Sequence, residues 1–211
     1  MVAPVESRLA QCRRAILLAA LAFAAIAAPA QADCGGVVAS YPHGWHRTYR
    51  PPLVIGDSTM IFAVPYLARQ KMQGNARGCR QWSEGLDLIR SRKHSHSLPH
   101  LVVMALGANW VITRADIERA VRLVGPGHVL GIVVPREEGG GTSSDAYNVR
   151  QAGERHRKRV KVVDWPRYSS GHDNWFSGDG LHMTYTGAAA YARYIGRLKR
   201  FAAPPGRQPL T

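Results

Sequence analysis

The run Leu101-Val102-Val103-Met104-Ala105-Leu106 limits what this chain can fold into more than any other stretch. A strand with one wet face alternates apolar and polar side chains, and this one does not; an unbroken apolar run implies cover on both faces, as in a parallel sheet. Val129 to Val134 repeats the pattern, and Leu53-Val54-Ile55 and Val160 to Val163 are shorter versions of it. Gly74 to Arg77 is a fifth, weaker candidate strand.

Helix signals fill the gaps between these runs. Ile61, Phe62, Val64 and Leu67 follow the first run, with Pro65 placed where a first helical turn tolerates it. Trp82, Leu86 and Ile89 recur at helical spacing. Thr113 and Asp116 form a capping-box start for a face of Ile117, Ala120, Val121 and Val124, and Gly125-Pro126-Gly127 ends it. Asp145 to Arg159 reads as a polar helix, and a last helix from about Thr186 to Arg200 offers Ala189, Tyr191, Ile195 and Leu198 for burial. Strand and helix therefore alternate, which predicts an α/β fold with three layers, a parallel sheet between helices.

The chain has 211 residues, room for one ordinary domain, and its first 32 are set apart. Arg8, Arg13 and Arg14 precede an apolar run, Ala15 to Ala28, that ends in Ala30-Gln31-Ala32. This is the pattern of a cleavable secretory signal, too short in its apolar part to favour a span of about 20 residues. Asp33 is neither small nor apolar, which argues against lipidation of Cys34. The expected organisation is a signal peptide over 1–32, an irregular aromatic and basic lead-in over 33–52, one main domain over 53–201 and a disordered tail over 202–211. A secreted or periplasmic location follows, with no integral membrane segment after cleavage.

Two further properties agree with export. Cys12 leaves with the signal, so Cys34 and Cys79 remain as a candidate disulfide in an oxidising compartment. Without the leader the chain keeps 25 basic and 13 acidic residues, a formal +12. Such a surface attracts polyanions, which for an exported protein are anionic envelope polymers and lipid headgroups; a solvated basic surface kept for solubility is the alternative. No nucleic-acid motif accompanies the charge. The histidines of Lys93-His94-Ser95-His96-Ser97-Leu98-Pro99-His100 lack an accompanying carboxylate or cysteine, so neither a metal nor another cofactor is expected.

In an open parallel sheet, ligands bind beyond the carboxyl ends of the strands. Three polar segments fall there. Gly56-Asp57-Ser58 follows the first strand and puts Ser58 on a strand-to-helix turn, where its own N–H can face an oxyanion. Gly107-Ala108-Asn109 follows the third strand, and Asn109 can donate to the same oxyanion. Asp179-Gly180-Leu181-His182 follows the fifth, with a histidine able to take the serine proton and a carboxylate to fix its tautomer. Trp110 and Trp175 stand beside these segments as candidate substrate contacts.

On these residues the sequence resembles the SGNH hydrolase superfamily, named for its Ser, Gly, Asn and His. Gly56-Asp57-Ser58 matches the first motif, Gly107-x-Asn109 the third and Asp179-x-x-His182 the last. Arg80-Gln81-Trp82-Ser83-Glu84-Gly85, Asp164-Trp165, Trp175-Phe176 and Gly187-Ala188-Ala189-Ala190-Tyr191-Ala192 are similar to the extracellular SGNH domains fused to peptidoglycan O-acetyltransferases. The resemblance implies a flavodoxin-like, five-stranded sheet. It also implies a Ser58–His182–Asp179 triad, with Ser58, Gly107 and Asn109 at the oxyanion, acting on acylated carbohydrate or another small ester. Hydrolysis, acyl transfer to sugars and an inactive polyanion-binding module are the alternatives. The chain departs from the pattern in two places. Trp110 follows Asn109 where many members carry Asp, and the second-motif Gly is either Gly78 or Gly85, which leaves the second oxyanion donor open between Gly78 and Arg80.

Overall fold

The computed structural model describes residues 34–43 and 50–202. The signal-peptide reading, part of the lead-in and residues 203–211 of the tail lie outside the described residues.

Six strands form one sheet: β1 (Val38–Ser40), β2 (Leu53–Gly56), β3 (Gln73–Ala76), β4 (Leu101–Ala105), β5 (Val129–Val133) and β6 (Val160–Val163). Their order is β1-β3-β2-β4-β5-β6. β3 through β6 all run parallel to β2, in the doubly wound arrangement that the apolar runs imply. The sheet is one strand wider than expected, because β1 pairs antiparallel to β3 inside the segment read as irregular. Its Val38 is exposed and it is only three residues long, so it carries no burial pattern for a sequence to reveal.

The helices are α1 (Val64–Arg69), α2 (Trp82–His94), α3 (Arg114–Val124), α4 (Ser144–Arg155), α5 (Trp165–Tyr168) and α6 (Tyr185–Gly196). Two cores, one on each sheet face, show why the strands lack alternation. Val54, Leu101 and Val103 point to a core shared with Leu67 of α1 and Tyr191 and Ile195 of α6. Leu53, Ile55, Val102 and Met104 point to the other, with Leu86 of α2, Ile117 and Val121 of α3 and Val149 of α4. Thr113 and Asp116 close a full capping box on α3. Ala202, expected in the tail, is buried against the first core.

Two local features differ from a plain strand-turn-helix reading, and both shape the site. After β2 the chain makes a 3-10 turn over Ser58–Ala63 before α1 begins, with Asp57 as its cap. At the start of α6, Thr184 caps the helix by accepting from the Gly187 N–H. Gly187 itself lies against the loop before it: a Cβ there would sit 2.0 Å from the Trp175 carbonyl oxygen. That carbonyl also accepts from the Thr184 N–H at 2.9 Å, so it cannot easily move away. Gly187→Ala is expected to cost about 1–3 kcal/mol of stability by overpacking, read as a lower urea midpoint with an unchanged m-value.

Candidate active site

All three polar segments meet at the carboxyl edge of the sheet. Ser58 comes from the turn after β2, and Asp179 and His182 come from the loop between β6 and α6. The Ser58 Oγ lies 3.0 Å from His182 Nε2, across 124 positions of sequence. His182 Nδ1 lies 2.6 Å from Asp179 Oδ2. These distances fit a single tautomer, in which the Nδ1–H donates to Asp179 and Nε2 is left to accept from the serine hydroxyl.

The Asp179 carboxylate is held by its own loop. Its Oδ1 accepts from the Leu181 N–H at 2.9 Å, the His182 N–H at 3.0 Å and the Ser177 hydroxyl at 2.7 Å. Partial burial works to raise this carboxyl, but the hydrogen bonds from Leu181, Ser177 and His182 outweigh it and hold the group well below the ordinary carboxylate range. The loop around it is closed by Ser177 N–H donating to His182 O and by a bridge between Phe176 and Met183. Gly180 supplies the positive φ of 68° that the turn needs.

Arg136, on the loop after β5, braces the same segment and went unremarked in the sequence. Its Nε donates to the Gly180 carbonyl at 2.6 Å, and its guanidinium lies 3.9 Å from the Phe176 ring centre. The Gly139 N–H donates to the Asp179 carbonyl nearby. An arginine between Pro135 and a glycine-rich loop offers no periodic signal, so only the fold exposes its part.

Asp57 joins the serine turn to the Asn109 segment. It is almost wholly buried and accepts from the Thr59 N–H at 3.0 Å, the Thr59 hydroxyl at 2.7 Å and the Ala108 N–H at 3.3 Å. Burial pushes its carboxyl up from the ordinary value, against the pull of those bonds. Gly107, with φ 136°, lets the chain turn between Ile112 and Pro135. Beyond it, the Asn109 Nδ2 is buried with no hydrogen-bond partner among the described residues. A buried donor without an acceptor is costly unless a ligand supplies one.

The other side of the serine turn is fixed by the side chain of Arg80, a residue read in the sequence only for its backbone N–H, at the end of the stretch open to the second oxyanion donor. Its side chain is buried and donates to the Gly56 carbonyl at 3.0 Å, the Asn75 carbonyl at 2.6 Å and the Asn75 Oδ1 at 2.8 Å. Burial lowers its pKa, as does the neighbouring Arg77. One residue earlier, Cys79 holds φ 53° and forms a disulfide with Cys34, the Cα atoms 5.3 Å apart. Gly78 abuts the Cys34 backbone, where a Cβ would meet the carbonyl oxygen at 2.4 Å. Gly85 instead lies on α2 against Leu106 and Met104 of the second core, where it lets the helix approach the sheet.

The two tryptophans separate. Trp110 is 65% exposed beside Asn109. Trp175 is partly buried, stacked with Trp165 and with His172, whose ring centre is 3.9 Å away. Its ring is engaged in that cluster while one part of it stays accessible. The histidine-rich segment ends elsewhere: His94 and His96 are exposed, and no three metal-ligating side chains gather among the described residues.

Known proteins give the same picture of the fold. No protein-family profile matches the chain. It superposes on the C-terminal catalytic domain of peptidoglycan O-acetyltransferase A from Streptococcus pneumoniae with a TM-score of 0.65 at 22% identity, covering 74% of this chain and 97% of that one. A lipase/acylhydrolase from Enterococcus faecalis matches with a TM-score of 0.55 at 18% identity, over 74% of this chain and 100% of that one. The chain has the SGNH hydrolase fold. By sequence it is 31% identical over 147 residues to peptidoglycan O-acetyltransferase OatA of Listeria monocytogenes, a match covering 68% of this chain and 23% of that protein. The SGNH unit thus spans less than a quarter of that relative.

Two outcomes are expected of this geometry. Asn109→Ala should lower kcat on an ester about 10²–10³-fold, while the melting temperature stays near the parent's because Nδ2 has no protein bond to lose. Asp179 is depressed, so the stability it contributes is present above its unfolded value, near about 4, and is lost only as pH falls through its lower folded value. The urea-stability gap between the parent and Asp179→Asn should therefore be flat from neutral pH to about 5 and close only in stronger acid.

Proposed function

We propose that this protein is an exported serine esterase that removes acyl groups, acetyl foremost, from envelope or extracellular carbohydrate. The observation that carries the reading is the continuous line of contacts from the Ser58 Oγ through His182 to Asp179. The O-acetyltransferase relatives and the acylhydrolase neighbour support acetyl-ester chemistry at such a site.

In the first step the Ser58 Oγ bonds to the ester carbonyl carbon as its proton passes to His182 Nε2. Negative charge moves to the carbonyl oxygen, where Asn109 Nδ2 and the Ser58 N–H are the donors, with Gly107 shaping the turn that delivers Asn109. Collapse breaks the bond to the sugar oxygen, which takes the proton back from Nε2 and leaves. Water then gives a proton to His182 and attacks the acyl-serine, and acetate departs as Ser58 recovers its proton. Asp179 stays ionised throughout and stabilises the imidazolium.

Transfer is the second reading, favoured by the O-acetyltransferase relatives. It differs only in the acceptor: a sugar hydroxyl replaces water in the last step. The His182 side chain is 44% exposed, so water has ready access to the acyl-enzyme, which favours hydrolysis. The formal charge of +12 that remains without the leader would add a salt-sensitive attraction to anionic envelope polymers.

The test is to incubate the protein with acetylated peptidoglycan fragments, and separately with p-nitrophenyl acetate plus sugar acceptors, following acetate and acetylated sugar by mass spectrometry. Free acetate as the main product supports the esterase, and acetylated acceptor as the main product supports transfer. Ser58→Ala and His182→Ala should each lose at least about 10³-fold in turnover. Parent-like rates in either variant would remove the triad assignment.

A further inference from the structure

Eight large apolar side chains are well exposed among the described residues, and four of them lie within four positions of a proposed catalytic or oxyanion residue: Phe62, Trp110, Val111 and Tyr185. Exposed apolar groups gathered at one place mark a binding surface more often than singly scattered ones do. Phe62 and Tyr185 go further, because they form a pair. Their ring centres are 4.9 Å apart and their planes 26° from parallel, yet the residues remain 48% and 67% exposed.

Their positions tie the pair to the site. Phe62 is on the 3-10 turn that begins with Ser58, and Tyr185 opens α6, three residues after His182. A 3-10 rise of about 2 Å per residue puts the Phe62 backbone about 8 Å along the turn from Ser58. Three residues of chain hold Tyr185 within about 10 Å of His182. The stack therefore joins the serine turn to the start of α6, just beyond the loop that the Ser58–His182 hydrogen bond ties to the same turn. A pairing meant only to clamp the elements together would gain most from being buried, as Trp165 and Tyr191 are in the core behind it.

We propose that Phe62 and Tyr185 form a carbohydrate subsite, on which a pyranose ring next to the acylated residue stacks its apolar C–H face. The electron-rich face of an aromatic ring attracts such C–H groups, and a rigid two-ring platform loses little freedom on binding. This deepens the proposed function and rests on it for the choice of sugar as occupant. The platform raises affinity for oligosaccharide esters and does nothing for a small ester that ends at the scissile bond.

The test separates the subsite from the chemistry. Phe62→Ala, Tyr185→Ala and the double variant are compared with Tyr185→Phe, which keeps the ring. On acetylated oligosaccharide the alanine variants should raise KM about tenfold or more, with Tyr185→Phe close to the parent. On p-nitrophenyl acetate all of them should match the parent. Independently, calorimetry with an unacetylated N-acetylglucosamine oligomer should detect binding to Ser58→Ala and lose it when the double change is added. Equal losses on both esters, unchanged oligosaccharide KM, or oligomer binding that survives the double change would each overturn the subsite. Absence of esterase and transferase activity in the parent would instead strike the proposed function, and the binding arm would still be readable.

Discussion

The bond between Asp179 and the His182 ring is the contact on which the functional account depends. An imidazole left to itself rotates and exchanges tautomers, and neither state is then reliably aimed at the serine. Here the carboxylate accepts a hydrogen bond from the Nδ1–H at 2.6 Å while three donors from its own loop hold it still. The ionised form is favoured so strongly that the acceptor persists wherever the enzyme would work. Everything else at the site serves to bring Ser58 and Asn109 to that fixed ring.

Three distant segments do this, each with its own anchor. Arg136 reaches from the loop after β5 to hold the Gly180 carbonyl. Asp57 spans from the serine turn to the backbone beside Asn109. Arg80 holds the Gly56 carbonyl from the far side and follows a cysteine tied to Cys34. Two of these anchors are buried charges, which are expensive unless hydrogen-bonded, and both are. The cost is consistent with positioning as their purpose, since apolar residues of similar volume often serve stability as well or better.

The parts of the fold that could be read from sequence are those that repeat or run. β4 and β5 declare themselves through uninterrupted apolar residues, and α3 through its capping box and spacing. β1 does not, being three residues with an exposed valine, and β3, Gln-Gly-Asn-Ala, shows only weakly as the candidate over Gly74 to Arg77; pairing with neighbours makes both strands. At the site, residues with familiar spacing were visible while their supports were not. Arg80 and Arg136 look like any surface arginine until the chain closes over them. Trp175 and Phe176 were indistinguishable as neighbouring aromatics, and packing sent both toward the core while Trp110 stayed out. The Phe62–Tyr185 stack joins residues 123 positions apart and has no sequence signature at all.

The central claim is that Ser58 is made nucleophilic by His182, and reaction with methanesulfonyl fluoride followed by intact-mass and peptide mapping tests it most directly. The account predicts one sulfonyl adduct per chain, on Ser58, that forms far more slowly in the His182→Ala variant. An adduct on another residue, or labelling of Ser58 at the same rate without His182, would contradict it.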